Sequence, residues 1–139
     1  MDYELSRFVT AQQEDYDRAL SEIRNGRKVS HWMWYIFPQL KGLGRSPMSE
    51  YYGIQGLDEA KAYLENPVLS KHLIEICDAL LSLDTNHAAE VMGMDDKKLK
   101  SSMTLFDAAT ESSDVFQRVL DKYYDGKKDY RTLRMLGIK

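Results

Sequence analysis

The spacing of apolar residues between positions 67 and 83 constrains the fold of this chain more than any other feature. Pro67 occupies a position favoured at the first turn of a helix, and the apolar residues that follow it share one helical face: Leu69, Leu73, Ile76, Leu80 and Leu83. No window of the sequence alternates apolar and polar residues as a half-buried β-strand does. We therefore predict an all-α fold.

The same signals predict a compact single-domain bundle of about six to eight short helices over residues 1–139. Thr10 and Gln13 form a capping box for the first helix, which ends near Gly26. Ser30 caps a short helix over residues 31–37, which ends before Pro38. The other helices are predicted at 58–65, 67–83, 85–92, from Asp95 through Phe106, from Ser113 through Tyr123, and from Asp129 to Leu136.

One long segment, residues 39–56, is predicted to be a glycine-bearing loop. It contains five of the eleven glycine and proline residues of the chain, namely Gly42, Gly44, Pro47, Gly53 and Gly56. Loops of this length in compact domains tend to be functional.

Composition narrows the possible partners and the location. A chain of 139 residues with 43% hydrophobic and 29% charged residues suits one globular core. The net charge of −3 gives no general electrostatic case for nucleic acid or an anionic membrane. No apolar run approaches the ~18 residues that cross a bilayer, and the start of the chain does not resemble a signal peptide. Because Cys77 is the single cysteine, no internal disulfide forms, and we expect a cytoplasmic protein.

An aromatic segment between Gly26 and Gln39 brings both tryptophans close to a histidine and two cations. Its aromatic residues cannot all face one way on a helix, so the segment is either part of the core or the wall of a ligand site: Trp32, Trp34, Tyr35 and Phe37. Gln39 and the glycines of the following loop would let backbone amides approach a flat or phosphorylated ligand.

Several side chains around this segment are candidates for ligand contact. His31 follows Ser30 directly, which suggests a nucleophile–base pair, but neighbouring positions on a helix point about 100° apart, which disfavours that pair. A structural role for His31 or contact with a ligand remain open. Arg27 and Lys28, just before the aromatic segment, are further anion-binding candidates.

A polar face on the helix after Asp95 is a second candidate site. Lys97, Ser101, Thr104 and Ala108 lie within about 60° of arc, so this face suits an anion, a helix-packing seam or plain solvated surface. Adjacent Asp95 and Asp96 lack further metal ligands at regular spacing, and the histidines are isolated, so we predict no metal site and no cofactor.

A family resemblance covers essentially the whole chain. It is carried by residues 26–39, by Gly42-Leu43-Gly44 and Tyr52-Gly53-Ile54, and by the run from Lys100 to Phe106. These segments resemble the domain-of-unknown-function family 1810. The resemblance implies a small, mainly α-helical bacterial-type domain and assigns no catalytic residues.

A more distant resemblance is to the NADAR family of ADP-ribose glycosidase-like proteins. It would imply that Trp32 or Trp34 stacks on a ring and that His31 or a nearby carboxylate assists glycosidic cleavage. Phosphate would then be held by Lys97, Ser101 and Thr104.

Two functional hypotheses follow. The first is a protein that binds or hydrolyses a small anionic ligand of nucleotide or ADP-ribose type, with the ligand contacted by Arg27, Lys28, His31, Trp32, Trp34, Gln39, Lys97, Ser101 and Thr104. The alternative is a non-enzymatic protein-interaction module or homodimer that uses exposed tyrosines such as Tyr51, Tyr52, Tyr123 and Tyr124. Whether the protein is an enzyme, and its oligomeric state, stay open.

Overall fold

Helices and short connections account for the fold in the computed structural model, which describes residues 3–138. Within this range there are nine α-helices and one 3-10 turn, Gly93–Asp95. The helices are α1 (Ser6–Arg24), α2 (Met33–Ile36), α3 (Pro47–Tyr52), α4 (Leu57–Glu65), α5 (Pro67–Ser82), α6 (Ala88–Met92), α7 (Asp96–Ala109), α8 (Val115–Tyr124) and α9 (Tyr130–Leu136). The one β-type pairing in the described range is an isolated parallel bridge between Leu40 and Ile54. The predicted all-α fold is confirmed.

Helices α5 and α7 form the centre of the bundle. α7 packs against α4 and α8 and also contacts α6 and α9, while α1 packs against α5 and α2. α7 is buried on nearly every side, and its buried residues are Leu99, Ser101, Ser102, Met103, Thr104, Leu105, Phe106 and Ala109. The helix therefore lies within the single hydrophobic core.

Two predicted helix ends are confirmed by their hydrogen bonds. Pro67 is the first residue of α5, and the side chain of Asn66 before it accepts from the Val68 and Leu69 amides. The Asp129 carboxylate accepts from the Thr132 amide at 3.0 Å and caps α9.

Other predicted helix starts are wrong. α1 begins at Ser6 rather than near Thr10, because fully buried Phe8 extends its apolar face by one turn. Ser30 does not cap α2, whose N-cap is Trp32, because the Ser30 hydroxyl donates to the Glu22 carboxylate instead. Asp95 precedes α7 but makes no capping hydrogen bond.

Further differences concern short elements. The predicted loop over residues 39–56 contains α3, which Ser46 caps by accepting from the Ser49 amide. α6 spans Ala88–Met92 instead of 85–92, and α8 begins at Val115 rather than Ser113. The Ser113 hydroxyl still accepts from the Val115 amide at 3.2 Å.

The guanidinium of Arg7 ties the start of α1 to α3 and α4. It pairs with the carboxylate of Glu59 at 2.8 Å, where the side chains are 9% and 0% exposed. It also donates to the carbonyl oxygens of Tyr51 and Gly53 at 2.9 and 3.2 Å, and to those of Tyr3 and Glu4. A buried charge with this many partners positions the end of α3.

We expect Arg7→Met to lower the free energy of unfolding by about 3–5 kcal/mol, because it leaves the Glu59 carboxylate buried without its cation. Adding Glu59→Gln should recover part of the loss, since the amide oxygen still accepts from the Gln55 amide. Urea unfolding followed by circular dichroism measures both. Arg18→Met is the control, because Arg18 is exposed and reaches Asp15 only at 3.8 Å. Equal losses for Arg7→Met and Arg18→Met would contradict the prediction.

Candidate functional site

The carboxylate of Glu22 on α1 organises the start of the aromatic segment. It accepts hydrogen bonds from the Val29 and Ser30 amides, the Ser30 hydroxyl and the Trp32 indole at 2.6–2.9 Å. Trp32 itself is 1% exposed. Because its ring is buried and its N–H is paired inside the protein, Trp32 belongs to the core and not to the wall of an open ligand site.

These hydrogen bonds also shift the ionisation of Glu22. Partial burial of the carboxyl would raise its pKa, but the bonds from Ser30, Val29 and Trp32 outweigh burial and lower the pKa to about 2. The carboxylate therefore stays charged at all but strongly acidic pH.

Lys28 joins the aromatic segment to the start of α7. Its ammonium group lies 3.0 Å from the Asp95 carboxylate and 4.9 Å from the centroid of the Trp32 ring. Asp95 also pairs with Lys98 at 2.9 Å. Burial would raise the pKa of Asp95, but the two lysines outweigh it and lower that pKa. The charge of Lys28 is thus used inside the protein.

A small cavity lies beneath the loop that follows α2. Its volume is about 10 Å³, which is room for about one water molecule. Its lining consists of Trp34, Gln39, Leu40, Leu43, Gly44, Ser49, Tyr52 and Gly53. The half-buried ring of Trp34 has the Lys98 ammonium 4.8 Å from its centroid. The cavity lining therefore combines two aromatic rings, two hydroxyls and a side-chain amide, with a cation close by.

Two glycines allow the loop to close over this cavity. A Cβ atom at Gly44 would lie 3.0 Å from the Ser49 side chain and 3.6 Å from the Trp34 ring. A Cβ atom at Gly53 would lie 2.6 Å from the backbone of Lys41, closer than any real Cβ contact. Larger residues at either position would push the loop away from α3.

The side-chain amide nitrogen of Gln39 has no hydrogen-bond partner within the described part of the protein. The residue is only 7% exposed, so this nitrogen is also shielded from solvent. The other such atom in the described range is the Ser102 hydroxyl, four residues after Lys98 on α7. The buried amide of Gln12, in contrast, donates to the Tyr35 carbonyl at 2.7 Å and the Tyr63 hydroxyl at 3.0 Å. An unpaired buried donor is uncommon in native proteins and calls for an explanation.

The predicted site residues do not converge on one pocket. Arg27 and Lys28 line a separate groove with Gly26, Thr85, Ala89, Glu90 and Gly93. The side chains of His31 and Lys97 are exposed. Of the predicted residues, the cavity brings together Trp34 and Gln39.

The hydroxyls predicted on α7 are engaged in the fold. Ser101 donates to the Lys97 carbonyl, and Thr104 donates to the Lys100 carbonyl and accepts from the Asp129 amide at 2.8 Å. Both residues are buried, at 8% and 1% exposure. This face is therefore a packing seam next to α9, one of the alternatives that its small residues suggest.

Two polar residues of the cavity region, Lys98 and Ser49, were missed by sequence reasoning, and Tyr52 was predicted only as an exposed tyrosine that contacts a partner protein. The run Ser46-Pro47 signals the start of α3, since proline is favoured in the first helical turn after a serine cap. Recognising that helix would have placed Ser49 and Tyr52 on an ordered element. Nothing in the sequence distinguishes Lys98 from its neighbour Lys97 as the lysine close to the cavity.

Two further groups of expectations concern chemistry elsewhere in the chain. Within residues 3–138, no three histidine, cysteine, aspartate or glutamate side chains are grouped as a metal site requires. Cys77 is buried as predicted, and burial raises the pKa of its thiol. No helix of the described range is long and apolar enough to span a membrane.

Comparison with known proteins places the chain in a family. The sequence profile described as "Protein of unknown function (DUF1810)" matches residues 2–136, and the chain belongs to this family. No functionally curated protein matches it. The crystal structure of the conserved hypothetical protein Rv1873 from Mycobacterium tuberculosis is similar, with 44% sequence identity and a TM-score of 0.95 over 99% of each chain. The family and this structure give the fold and leave the activity unassigned.

We expect Glu22 to contribute stability above pH 4.5 that is lost as the pH falls toward 2, because its pKa is lowered from 4.5 to about 2 on folding. Urea unfolding at pH 5, 4, 3 and 2 should therefore show the stability gap between wild type and Glu22→Gln narrowing with acidification. Glu111→Gln removes an exposed carboxylate and is the control. A gap that stays constant over this range would contradict the assignment.

We expect opposite results from the same substitution at two buried glutamines. Gln12→Met should cost about 1–3 kcal/mol of unfolding free energy, because it leaves the hydrogen-bonding groups around Gln12 unpaired. Gln39→Met should cost little or should stabilise the protein, since it removes a donor that has no partner. Urea unfolding at neutral pH measures the loss of unfolding free energy in each variant and shows which loss is larger. Equal losses at the two positions would show that the Gln39 amide is paired in solution.

Proposed function

We propose that the protein binds a small anionic ligand with a flat, hydrogen-bonding group in the cavity beneath the loop, at Trp34 and Gln39. The observation that carries the proposal is the Gln39 amide, which is buried, unpaired and part of the cavity wall. Leaving a buried donor unpaired costs about 1–3 kcal/mol, a cost that a ligand accepting this hydrogen bond would remove.

The groups around the cavity match a ligand of nucleotide or ADP-ribose type. The half-buried ring of Trp34 offers a face for stacking on a base. The Gln39 amide supplies a donor for a base or carbonyl edge. The ammonium of Lys98 lies 4.8 Å from the centre of the Trp34 ring and 2.9 Å from the Asp95 carboxylate. Asp95 keeps its ion pair with Lys28 when Lys98 turns to a phosphate, so Lys98 supplies the positive charge in this proposal.

Ligand entry in this proposal requires the loop over residues 41–46 to move, because the cavity is the size of one water molecule. Both ends of the segment after α2 are fixed. The Lys41 amide donates to the Ile54 carbonyl at 2.8 Å, and the Ile54 amide donates to the Gln39 carbonyl at 2.9 Å. Between these ends Lys41, Gly42, Arg45 and Ser46 are exposed. Displacing the loop tip breaks the hydrogen bonds between Ser46 and Ser49 and the exposed ion pair between Lys41 and Glu50 at 3.9 Å, and it leaves the two backbone bonds at the ends in place.

Binding fits the cavity better than hydrolysis does. The eight lining residues include no carboxylate, imidazole or thiol that would act as a general acid or base. Burial raises the pKa of the Tyr52 hydroxyl, which keeps it protonated at neutral pH. The proposed role is therefore recognition of the ligand.

We expect AMP, ADP-ribose or NAD to raise the melting temperature, with a ligand at 100 times its Kd adding about 2.7 kcal/mol of stability. Gln39→Met and Lys98→Met should remove the shift, because they delete the donor and the cation. Lys97→Met is the matched control on the same helix, and should keep the shift because Lys97 is exposed and lies outside the cavity. Differential scanning fluorimetry followed by titration calorimetry measures these effects.

The outcomes separate this site from the other predicted residues. Loss of the shift in Lys97→Met but not in Gln39→Met would move the site to the polar face of α7. Absence of a shift with all three compounds and with phosphate would reject the proposal for ligands of this class.

A further inference from the structure

A groove lies on the side of α3 opposite the cavity described above, between α3 and the first turns of α1. Its volume is about 470 Å³, and it is walled by Tyr35, Met48, Tyr51 and Tyr52 on one side and by residues of α1 on the other. The tyrosine rings are contiguous, with centroids 5.1 Å apart for Tyr35 and Tyr52 and 4.8 Å apart for Tyr51 and Tyr52. Tyr51 is 61% and Met48 is 41% exposed. We call this the tyrosine groove.

The charge that faces the tyrosine groove is mainly negative. Glu14 is exposed and has no ion pair, while the Asp15 carboxylate accepts from the Tyr35 hydroxyl and reaches Arg18 only at 3.8 Å. The one cation in the lining is Arg7, whose guanidinium is paired with buried Glu59 and bonded to backbone carbonyls. Glu14 is therefore left without a balancing cation among the described residues, and Asp15 has only the long contact with Arg18.

We propose that the tyrosine groove binds a basic side chain, lysine or arginine, on an exposed segment of a partner protein. Met48 and Tyr51 offer apolar surface for the methylene stem of such a side chain. The tyrosine faces attract its cation, and Glu14 and Asp15 neutralise it. A carboxylate pair without the aromatic wall would suit any cation, but the exposed apolar rim fits a cation carried on a longer chain.

This inference is independent of the proposed ligand site. Tyr52 is the one residue that lines both the cavity and the tyrosine groove, while Gln39 and Lys98 lie outside the groove. Variants at Glu14 and Tyr51 therefore test the groove without touching the cavity. Failure of either proposal leaves the other in place.

The probe is a five-residue peptide with a central arginine flanked by glycines and blocked at both ends. It is titrated to millimolar concentration into the ¹⁵N-labelled protein of 139 residues, and binding is followed by two-dimensional NMR. We expect the largest amide shifts at Glu14, Asp15, Tyr51 and Tyr52. The matched peptide with a central glutamine should shift these amides much less. Added salt should lower the affinity for the arginine peptide, because it screens a charge contact that is partly exposed.

Two variants make the assignment specific. Glu14→Gln should lower the affinity for the arginine peptide about two- to five-fold, which is the effect of losing one exposed charge pair. Tyr51→Ala should lower the affinity by a similar factor, because it removes the cation–π contact. Glu111→Gln, an exposed carboxylate outside the groove, should leave it unchanged. Equal shifts with the glutamine peptide, shifts centred on other residues, or unchanged affinity in both groove variants would overturn the proposal.

Discussion

The ion pair between Arg7 and Glu59 is the contact on which both proposed surfaces depend. The guanidinium joins the first turn of α1 to the carbonyls of Tyr51 and Gly53 and to a fully buried carboxylate on α4. Helix α3 has only six residues, and a helix of that length has little stability of its own. Its position is therefore set by Arg7, by the close approach of Gly53 to the backbone of Lys41 and by its packing against α2.

Helix α3 is also the boundary between two different environments. On one side, Ser49 and Tyr52 close a cavity of water-molecule size in which the Gln39 amide lacks a partner. On the other side, Met48 and Tyr51 extend into solvent beside the carboxylates of α1. A short helix thus presents one face to a proposed small-ligand site and another to a proposed protein-binding groove.

The aromatic segment shows how far sequence reasoning reaches. Its unusual density of aromatic residues predicts either a part of the core or the wall of a ligand site. In the structure the two tryptophans differ: Trp32 is buried and its N–H donates to Glu22, whereas Trp34 is half-buried beside Lys98. The spacing of the two tryptophans does not predict this difference, because it depends on contacts with residues outside the segment: Glu22 for Trp32 and Lys98 for Trp34. The predicted polar face of Lys97, Ser101 and Thr104 likewise depends on a distant element, because α9 and its cap residue Asp129 pack against α7 at Thr104.

Sequence by itself determined the helical class, the long helices and several of their ends, because helical spacing, proline at the first turn and capping side chains act within a few residues. Pro67 after Asn66, and Asp129 before Thr132, are examples in which the local hydrogen bond is enough. Only the tertiary structure decided which polar groups find a partner inside the protein and which do not. Asp95 precedes its helix as expected but binds Lys28 and Lys98, and Gln39 is left without the partners that Gln12 has. Pairing of a buried charge or amide depends on which distant residue comes within about 3 Å, and that distance is set by packing of the whole core.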